Sequence, residues 1–266
     1  MHHITLVVPC YNEEERLQVG VFQRFAAAHP HIRFVMVNDG SQDQTAAILA
    51  DLAASRPGQF EVVSLAVNSG KAEAVRQGML HALTSGADAV GFIDADLAAP
   101  LGEVPRLIDV LERRPDVSVV VGSRLTLAGH AIERRWIRRL LGRCFAAVAS
   151  RLIGLPLRDT QCGLKLFRAT DTARRMFTDP FRSRWIFDVE LLARLIAAEG
   201  REAAIAQIYE MPLEAWSEVA GSKLKSGDFV KAVGELLGIY ATYIWAAGGA
   251  PHAGDVREGR ESRRAA

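Results

Sequence analysis

Two aspartates one residue apart, Asp94 and Asp96, are the side chains of this sequence that most directly suggest chemistry. They follow an apolar run at residues 90–93 and come shortly before Pro100, as at the end of a buried strand. Residues i and i+2 of a strand point to the same side, and two like charges held that close repel each other. A divalent cation would offset the repulsion, because hard cations take carboxylate oxygens as ligands. An ordinary turn, in which an aspartate caps the next helix, is the alternative interpretation.

Five apolar runs in the first half of the chain alternate with helical patterns. The runs, interpreted as strands, cover residues 4–12, 32–41, 60–68, 88–96 and 116–124, and the helical patterns cover residues 13–29, 42–55, 71–83 and 102–114. Continuous Val- and Ile-rich strands between helices predict an α/β fold, in which a mostly parallel sheet carries helices on both faces. Ligands bind such open sheets at the carboxyl ends of the strands.

The residues at these strand ends would all lie along one edge of the sheet. In chain order they are Pro9, Tyr11, Asn12 and Glu13; Asp39, Gly40 and Ser41; Lys71; Asp94, Ala95 and Asp96; and Arg124. Ordinary turn chemistry explains one such cluster. Five clusters on one rim predict a functional site, because functional groups gather on loops that a rigid scaffold holds.

The second half of the chain has a different pattern. Apolar residues recur at helical spacing from Glu133 to Leu155, and arginines crowd the first turns of this predicted helix: Arg134, Arg135, Arg138, Arg139 and Arg143. A basic amphipathic helix suits an anionic membrane surface, and a core helix with a solvated arginine face is the alternative. Beyond it, the sequence predicts a helix from about Phe187 or Asp188, a late strand within residues 207–216 and a final helix after a loop.

Composition limits the classes of protein to consider. The 266 residues suffice for one large domain, and a net charge of +1 provides no global field, so we expect no nucleic-acid partner. Three cysteines, Cys10, Cys144 and Cys162, lack the spacing of a zinc site or a disulfide framework and fit a reducing compartment. The strand-like N-terminus predicts no signal peptide. The apolar segment 236–250 is too short for a ~30 Å bilayer core, and we interpret it as a packed or interfacial helix.

Eight motifs occur in a fixed order: "VVPCYNEEERL", "VNDGSQDQT", "NSGKAEAVRQGM", "DADLAAP", "VGSR", "RDTQCGLKLF", "WIFDVELL" and "GSKLK". The set resembles the family-2 glycosyltransferases of the GT-A fold, and more closely the dolichyl-phosphate β-glucosyltransferases and their prokaryotic polyprenyl-phosphate relatives. The resemblance covers residues 4 to 235. It implies one GT-A domain at 1–247, with a nucleotide-sugar-binding half at 4–125 and an acceptor- and membrane-facing half at 126–247. We expect residues 248–266 to be a disordered tail.

The resemblance assigns roles to the residues of the rim. The nucleotide sugar would be held by Pro9, Tyr11, Asn12, Glu13, Asp39, Gly40, Ser41, Lys71, Asp94, Ala95 and Asp96. Asp96 would bind Mg²⁺ or Mn²⁺ on the donor diphosphate, and Asp94 would contact ribose or the metal. Some mannosyl-transferring relatives carry Gln two residues after the second aspartate, where this sequence has Ala98, which favours the glucosyl-type group.

The resemblance also implies a site for the acceptor and the sugar. Candidates for the acceptor phosphate are Arg124, Arg134, Arg138 and Lys223, and candidates for the sugar pocket are Asp159, Gln161, Trp185 and Asp188. Arginine suits this role because its fork matches phosphate oxygens. A phosphomonoester is largely ionised at neutral pH, since its second pKa is about 6, so it needs cations and no strong base. Asp188 could instead cap its helix, Trp185 could be a core aromatic, and Cys162 suits a small buried residue better than a nucleophile.

The expected function is an inverting transfer of a sugar from a nucleotide sugar, UDP-glucose in the first place, to a polyprenyl phosphate. The predicted catalytic residues are Asp94, Asp96, Arg124 and Asp188, and the enzyme would work peripherally on the cytoplasmic face of a membrane. GDP-mannose as donor, or a glycan hydroxyl as acceptor with Asp188 as base, are alternatives. A nucleotide-sugar-binding protein without catalysis is a further one. A dinucleotide dehydrogenase is disfavoured, because no Gly-x-Gly-x-x-Gly follows the first strand.

Overall fold

The computed structural model describes residues 1, 3–124, 132–133, 152, 154–184, 186–217 and 226–245. The strands are β1 Ile4–Cys10, β2 Ile32–Asp39, β3 Phe60–Leu65, β4 Ala89–Ile93, β5 Val119–Ser123, β6 Ile132–Glu133, β7 Leu164–Arg168, β8 Ile208–Pro212 and β9 Trp216–Ser217. The α-helices are α1 Val19–Ala28, α2 Thr45–Ser55, α3 Lys71–Thr84, α4 Val104–Arg113, α5 Asp171–Thr178, α6 Phe187–Glu199, α7 Arg201–Gln207 and α8 Ser226–Ile239. A 3₁₀ turn, Leu101–Glu103, precedes α4, and a π-helical turn, Tyr240–Trp245, continues α8.

Seven strands form one sheet in the order β3-β2-β1-β4-β7-β5-β8. All of them run parallel except β7, which is antiparallel to both of its neighbours, β4 and β5. The prediction of a mostly parallel α/β sheet is therefore confirmed. Because the five predicted strands share one direction, their carboxyl ends do meet along one edge.

Helices cover both faces of the sheet, as predicted. Alternate residues of β1 belong to two separate apolar cores, with Val7 in one and Leu6 in the other. The core that contains Val7 includes side chains of α3, α5 and α6, and the opposite core includes side chains of α1, α2 and α4. Both faces of β1 are thus buried, which is why its sequence is a continuous apolar run.

Several element boundaries differ from the predictions. The helix expected from residue 13 begins only at Val19, because the chain first forms a turn in which Leu17 N donates to Glu13 O at 2.8 Å. Strand β7 and helices α5 and α7 were not predicted. The expected helix at 133–155 is wrong at the described ends, since Glu133 pairs with Ser217 in a short ladder and Gly154 lies in a turn with φ +72°. Apart from Leu152 and Leu155, the rest of that range lies outside the described residues.

The C-terminal helix packs on the domain. Leu236, Ile239 and Ile244 are buried and join the core that also contains α6. Within the described part of the chain, no helix has the length and apolar character needed to cross a bilayer.

Replacing either of two helical glycines with alanine should change the free energy of unfolding, in opposite directions. A Cβ on Gly78 in α3 would lie 2.4 Å from Val7 Cγ1 and 2.7 Å from Val37 Cγ2, so the helix packs directly on the sheet there. We expect Gly78→Ala to lower the free energy of unfolding by about 1–3 kcal/mol, the usual cost of overpacking. A Cβ on Gly234 in α8 would meet no atom within 4 Å, so Gly234→Ala should raise that free energy by about 0.5–1 kcal/mol.

Denaturant unfolding of both variants measures these two changes. Equal stability of the Gly78→Ala variant and the wild type would mean that α3 can move off the sheet at no cost. That result would contradict the close packing described for Val7 and Val37.

Candidate active site

Hydrogen bonds join the loop after β1 to the loop after β2, and the two loops form one wall of the candidate site. Asn12 Oδ1 accepts the Gln42 amide at 2.9 Å, and the Asn12 amide donates to Ser41 Oγ at 3.1 Å. Ser41 in turn donates its amide to Asn38 Oδ1 at 3.1 Å. Asn12 has a φ of +51°, a left-handed conformation that asparagine tolerates better than most residues. Pro9, paired with Val37, and the half-buried Tyr11 lead into this wall.

Asp39 shapes the third loop of the rim. Its carboxylate accepts the backbone amides of Ser69 at 2.8 Å and Gly70 at 2.9 Å, immediately before α3 begins at Lys71. Gly40 makes this approach possible, because a Cβ there would lie 2.5 Å from the backbone carbon of Val67. Asp39 and Gly40 therefore determine where Lys71 enters the site.

Lys71 contacts the first aspartate of the pair. Its Nζ lies 2.6 Å from Asp94 Oδ1, the distance of an ion pair. The Lys71 side chain is 41% exposed, so an anionic ligand can reach it. Desolvation lowers the pKa of Lys71, but the charges of Asp94, Asp188 and Asp96 together raise it above its usual value. The lysine therefore stays charged.

Carboxylates outnumber cations around Asp96. Asp96 Oδ1 accepts the Ala98 amide at 3.0 Å. Burial raises the pKa of Asp96, and the charge of Asp94 adds to this rise, although the Ala98 amide and Lys71 oppose it. Nearby, Glu13 is buried, and burial raises its pKa; Arg16 lowers that pKa and Asp96 raises it. Glu13 Oε1 accepts from Arg16 at 2.7 Å, but Oε2 is buried without a hydrogen-bond partner. The arrangement fits a divalent cation, which would lower the cost of holding these carboxylates together.

Gly163, which the sequence reasoning missed, makes room for Asp94. A Cβ on Gly163 would lie 2.1 Å from Asp94 Oδ2, so the carboxylate packs directly on the glycine backbone. The motif "QCGLKLF" contains this glycine just before β7. A glycine next to a strand is a signal for close approach of another group, and it could have pointed to this contact.

Arg124 and Asp159, predicted for different subsites, form one pair. Arg124 donates from Nε and Nη2 to the two Asp159 oxygens at 2.6 and 2.7 Å, and its amide donates to Oδ2 at 2.9 Å. Burial raises the pKa of Asp159, but the bonds from Arg124 lower it more. The Trp216 ring lies 5.7 Å from the guanidinium, and the Gln161 amide reaches Asp159 Oδ1 at 3.3 Å. Asp159 therefore orients Arg124 at the end of β5.

Asp188 lies in a buried ion pair. Its Oδ1 accepts from Lys165 Nζ at 2.5 Å, and the same ammonium donates to the Cys162 carbonyl at 2.7 Å. The helix cap before α6 is Ile186, without a side-chain bond, so the interpretation of Asp188 as a cap is wrong. Burial raises the pKa of the Cys162 thiol to about 11, in agreement with a small buried residue.

The structure therefore brings most of the predicted site residues to one edge of the sheet. Four predicted residues lie outside the described part of the chain: Arg134, Arg138, Trp185 and Lys223. Ala95 is buried between the two aspartates. Lys165, to which the sequence analysis gave no role, is fully buried and pairs with Asp188.

An open, mostly parallel sheet with paired carboxylates and a lysine at its strand ends agrees with a glycosyltransferase of the GT-A fold. Residues 5–174 match the model of "Glycosyl transferase family 2", and this chain belongs to that family. Among curated proteins, it is 33% identical to a dolichyl-phosphate beta-glucosyltransferase of Trichomonas vaginalis, covering 89% of this chain and 70% of the relative. It is 34% identical to that of Drosophila melanogaster (83% and 69%) and 32% identical to that of Homo sapiens (83% and 69%).

Solved structures share the fold at lower identity. Glucosyl-3-phosphoglycerate synthase from Mycobacterium tuberculosis, in complex with UDP, superposes with a TM-score of 0.63 at 20% identity, covering 90% of this chain and 80% of that one. Its complex with Mn²⁺, UDP and glucosyl-3-phosphoglycerate gives a TM-score of 0.62 at 19% identity, covering 95% and 82%. At these identities the likeness establishes the GT-A fold of this chain.

The contact between Gly163 and Asp94 can be tested directly. We expect Gly163→Ala to lower the turnover of the nucleotide-sugar donor by about 10²-fold, because the added methyl group displaces the Asp94 carboxylate by about 1 Å. The control is Gly102→Ala in the 3₁₀ turn before α4, where a Cβ would meet no atom within 4 Å. A folded Gly163→Ala enzyme with wild-type turnover would show that the position of Asp94 is not critical.

Proposed function

We propose that this family-2 glycosyltransferase moves glucose from UDP-glucose to a polyprenyl phosphate and releases UDP and a β-linked polyprenyl monophosphate glucose. Three relatives with 32–34% identity are dolichyl-phosphate beta-glucosyltransferases, and they match 83–89% of this chain. The proposal extends the reaction in their names to this chain, with UDP as the nucleotide.

The buried pair of Asp188 and Lys165 is the observation that carries the choice of acceptor. A hydroxyl acceptor needs a general base within hydrogen-bond reach, and Asp188 was the predicted candidate. Its Oδ1 is already bound to Lys165 at 2.5 Å, and its side chain is 6% exposed. A phosphate acceptor is already ionised and needs a cation instead. Arg124, oriented by Asp159 at the rim, suits that need.

The donor would lie across the loops after β1, β2 and β3. We propose that Pro9, Tyr11, Asn12 and Glu13 contact the nucleoside together with Asp39, Gly40 and Ser41. Tyr11 would lie against the base. The Asp39 oxygens already hold the loop before α3, and each keeps a further lone pair for the ribose or the base. Lys71, partly exposed beside Asp94, would bind the diphosphate.

A Mg²⁺ or Mn²⁺ ion would be held by Asp96 and Asp94 together with the donor diphosphate. No three metal-ligating side chains converge among the described residues, and Mg²⁺ is commonly held by one or two carboxylates plus substrate phosphates. The orphaned Glu13 Oε2 and the raised pKa of Asp96 fit a neighbouring cation. When bound, such an ion supplies the Lewis acid that stabilises the departing UDP.

The side chains then have separate tasks in a single displacement with inversion. Arg124 orients the acceptor phosphate towards the anomeric carbon, on the side opposite to the UDP leaving group, and Lys71 offsets charge on the diphosphate. Asp188, Gln161 and Trp185 would lie under the sugar, and Asp159 contributes by orienting Arg124. Arg134, Arg138 and Lys223 remain proposed contacts of the acceptor phosphate.

A polyprenyl acceptor places the reaction at a membrane. We therefore propose that the enzyme works peripherally on the cytoplasmic face of the membrane that contains the lipid. The free, buried Cys10 and Cys162 are compatible with that reducing compartment.

A transfer assay tests the donor, the acceptor and the metal together. Radiolabel from UDP-glucose should enter the organic phase in the presence of a short polyprenyl phosphate and Mn²⁺ or Mg²⁺, and Asp96→Ala should abolish the transfer. Asp109→Ala is the matched control, because Asp109 is half exposed on α4 and pairs with Arg113. Transfer from GDP-mannose alone would overturn the choice of glucose. Donor hydrolysis without labelled lipid would overturn the choice of acceptor.

The role of Arg124 gives a separate kinetic prediction. We expect Arg124→Lys to lower kcat/KM for the polyprenyl phosphate by roughly 10- to 100-fold, the value of one or two charged hydrogen bonds. Lysine keeps the charge but cannot bind Asp159 through two parallel bonds. The affinity for UDP should not change. Arg113→Lys is the control, since its arginine is 77% exposed. A defect in UDP binding instead would place Arg124 on the donor.

A further inference from the structure

Lys165 is a cation in the middle of the sheet. It lies on β7, opposite Phe92 of β4 and Val121 of β5, and its side chain is fully buried. The ammonium lies 5.3 Å from the centre of the Phe92 ring. An ammonium removed from water is costly unless other groups of the protein bind it. Lys165 therefore depends on its partners.

Those partners come from two elements of the site. One is Asp188, the second residue of α6. The ring centre of its neighbour Phe187 lies 5.9 Å from Lys71 Nζ. The other is the Cys162 carbonyl, which belongs to the peptide bond that joins Cys162 to Gly163. Asp94 packs on Gly163 and also contacts Lys71. The Lys165 ammonium is therefore linked to Asp94 through the Cys162–Gly163 peptide and to Lys71 through the start of α6.

We propose that Lys165 is a positioning residue of the donor site, which holds Asp188 and the Cys162–Gly163 peptide so that Asp94 and Lys71 meet correctly. It acts through these groups and touches neither donor nor acceptor. The inference rests on the donor site proposed above and adds to it a residue that no motif assigned.

The electrostatics explain why this position matters. Lys71 lies in the field of both Asp94 and Asp188, and the two charges act on it together. Lys165 binds Asp188 from the side of the sheet and neutralises much of its charge. Without Lys165, Asp188 would be a buried carboxylate without its cation, and it would attract Lys71 away from Asp94. Donor binding and turnover would then both suffer.

Stability alone does not account for the pair. Apolar residues of similar volume often replace a buried ion pair with little loss of stability, whereas removal of one partner leaves an uncompensated charge. A structural role and a positioning role therefore predict different results for a double variant. If the pair only fills the core, adding Lys165→Met to Asp188→Asn should change neither the Kd for UDP nor kcat.

The experiment compares Lys165→Met, Asp188→Asn and the double variant Lys165→Met/Asp188→Asn. The control is Arg168→Met on the same strand, whose arginine donates to the carbonyls of Val117 and Arg114 at the opposite end of β7. For each protein we would measure thermal unfolding, the Kd for UDP with Mn²⁺ by titration calorimetry, and kcat and KM for UDP-glucose. All kinetic measurements are made well below the unfolding temperature of the variant.

We expect Lys165→Met to raise the Kd for UDP and to lower kcat, each by about 10- to 100-fold, as for other residues that orient a ligand-binding group. The double variant should regain much of the thermal stability that Lys165→Met loses. Its Kd for UDP should remain higher than that of Asp188→Asn alone. Arg168→Met should lose stability and keep the wild-type Kd. A double variant that matches Asp188→Asn in Kd and kcat would overturn the proposal and leave Lys165 a structural role.

The test also covers a Lys165→Met variant that does not fold and an enzyme that uses another acceptor. If Lys165→Met does not fold, the comparison of the double variant with Asp188→Asn carries the test. A wild-type chain that binds UDP with Mn²⁺ but glucosylates no polyprenyl phosphate would defeat the proposed acceptor alone. The Kd values for UDP would still decide the role of Lys165.

Discussion

The antiparallel strand β7 is the constraint on which the site depends. It lies between β4 and β5, the two parallel strands whose ends carry Asp94 and Arg124. The loop that enters β7 brings Gly163 against Asp94. The strand itself contains Lys165, which lies inside the sheet below the strand ends that form the site. If β7 ran parallel to β4 and β5, the loop that enters it would lie at the opposite edge of the sheet, away from the carboxyl ends of those strands. The reversal of one strand thus lets a short segment reach the reacting side of the sheet.

Charges at the rim are paired in two different ways. Arg124 and Asp159 form a closed pair whose bonds fix the direction of the guanidinium. Around Asp96, by contrast, carboxylates exceed the cations, and burial raises the pKa of Asp96, with a further rise from the charge of Asp94. The first region is prepared for an anion that meets an oriented arginine. The second has negative charge in excess, which suits a divalent cation bound to the donor diphosphate.

The sequence predicted those elements whose residue pattern is contained in one continuous segment. Continuous apolar runs predicted β1 to β5, and the residues that follow those strands predicted the rim, because parallel strands end on one edge. Prediction failed where two distant segments decide the outcome. Strand β7 is five residues long and contains Lys165 and Arg168, so its pattern is not typical of a buried strand. The pairing of Arg124 with Asp159 joins residues 35 positions apart, and no local periodicity reports it.

The buried groups also suit the flexible, highly charged substrates of the proposed reaction. Asp39 holds the loop before Lys71, and Asp159 holds Arg124, so two cations that would meet phosphate groups are oriented by the fold itself. Side chains ordered during folding lose little further entropy on binding, and oriented charges need no rearrangement as charge develops on the leaving group. With the proposed phosphate acceptor, which is already ionised, the enzyme would not require a strong base. In the proposed reaction, selectivity for an acceptor would follow from which anion can reach Arg124 while the diphosphate occupies Lys71.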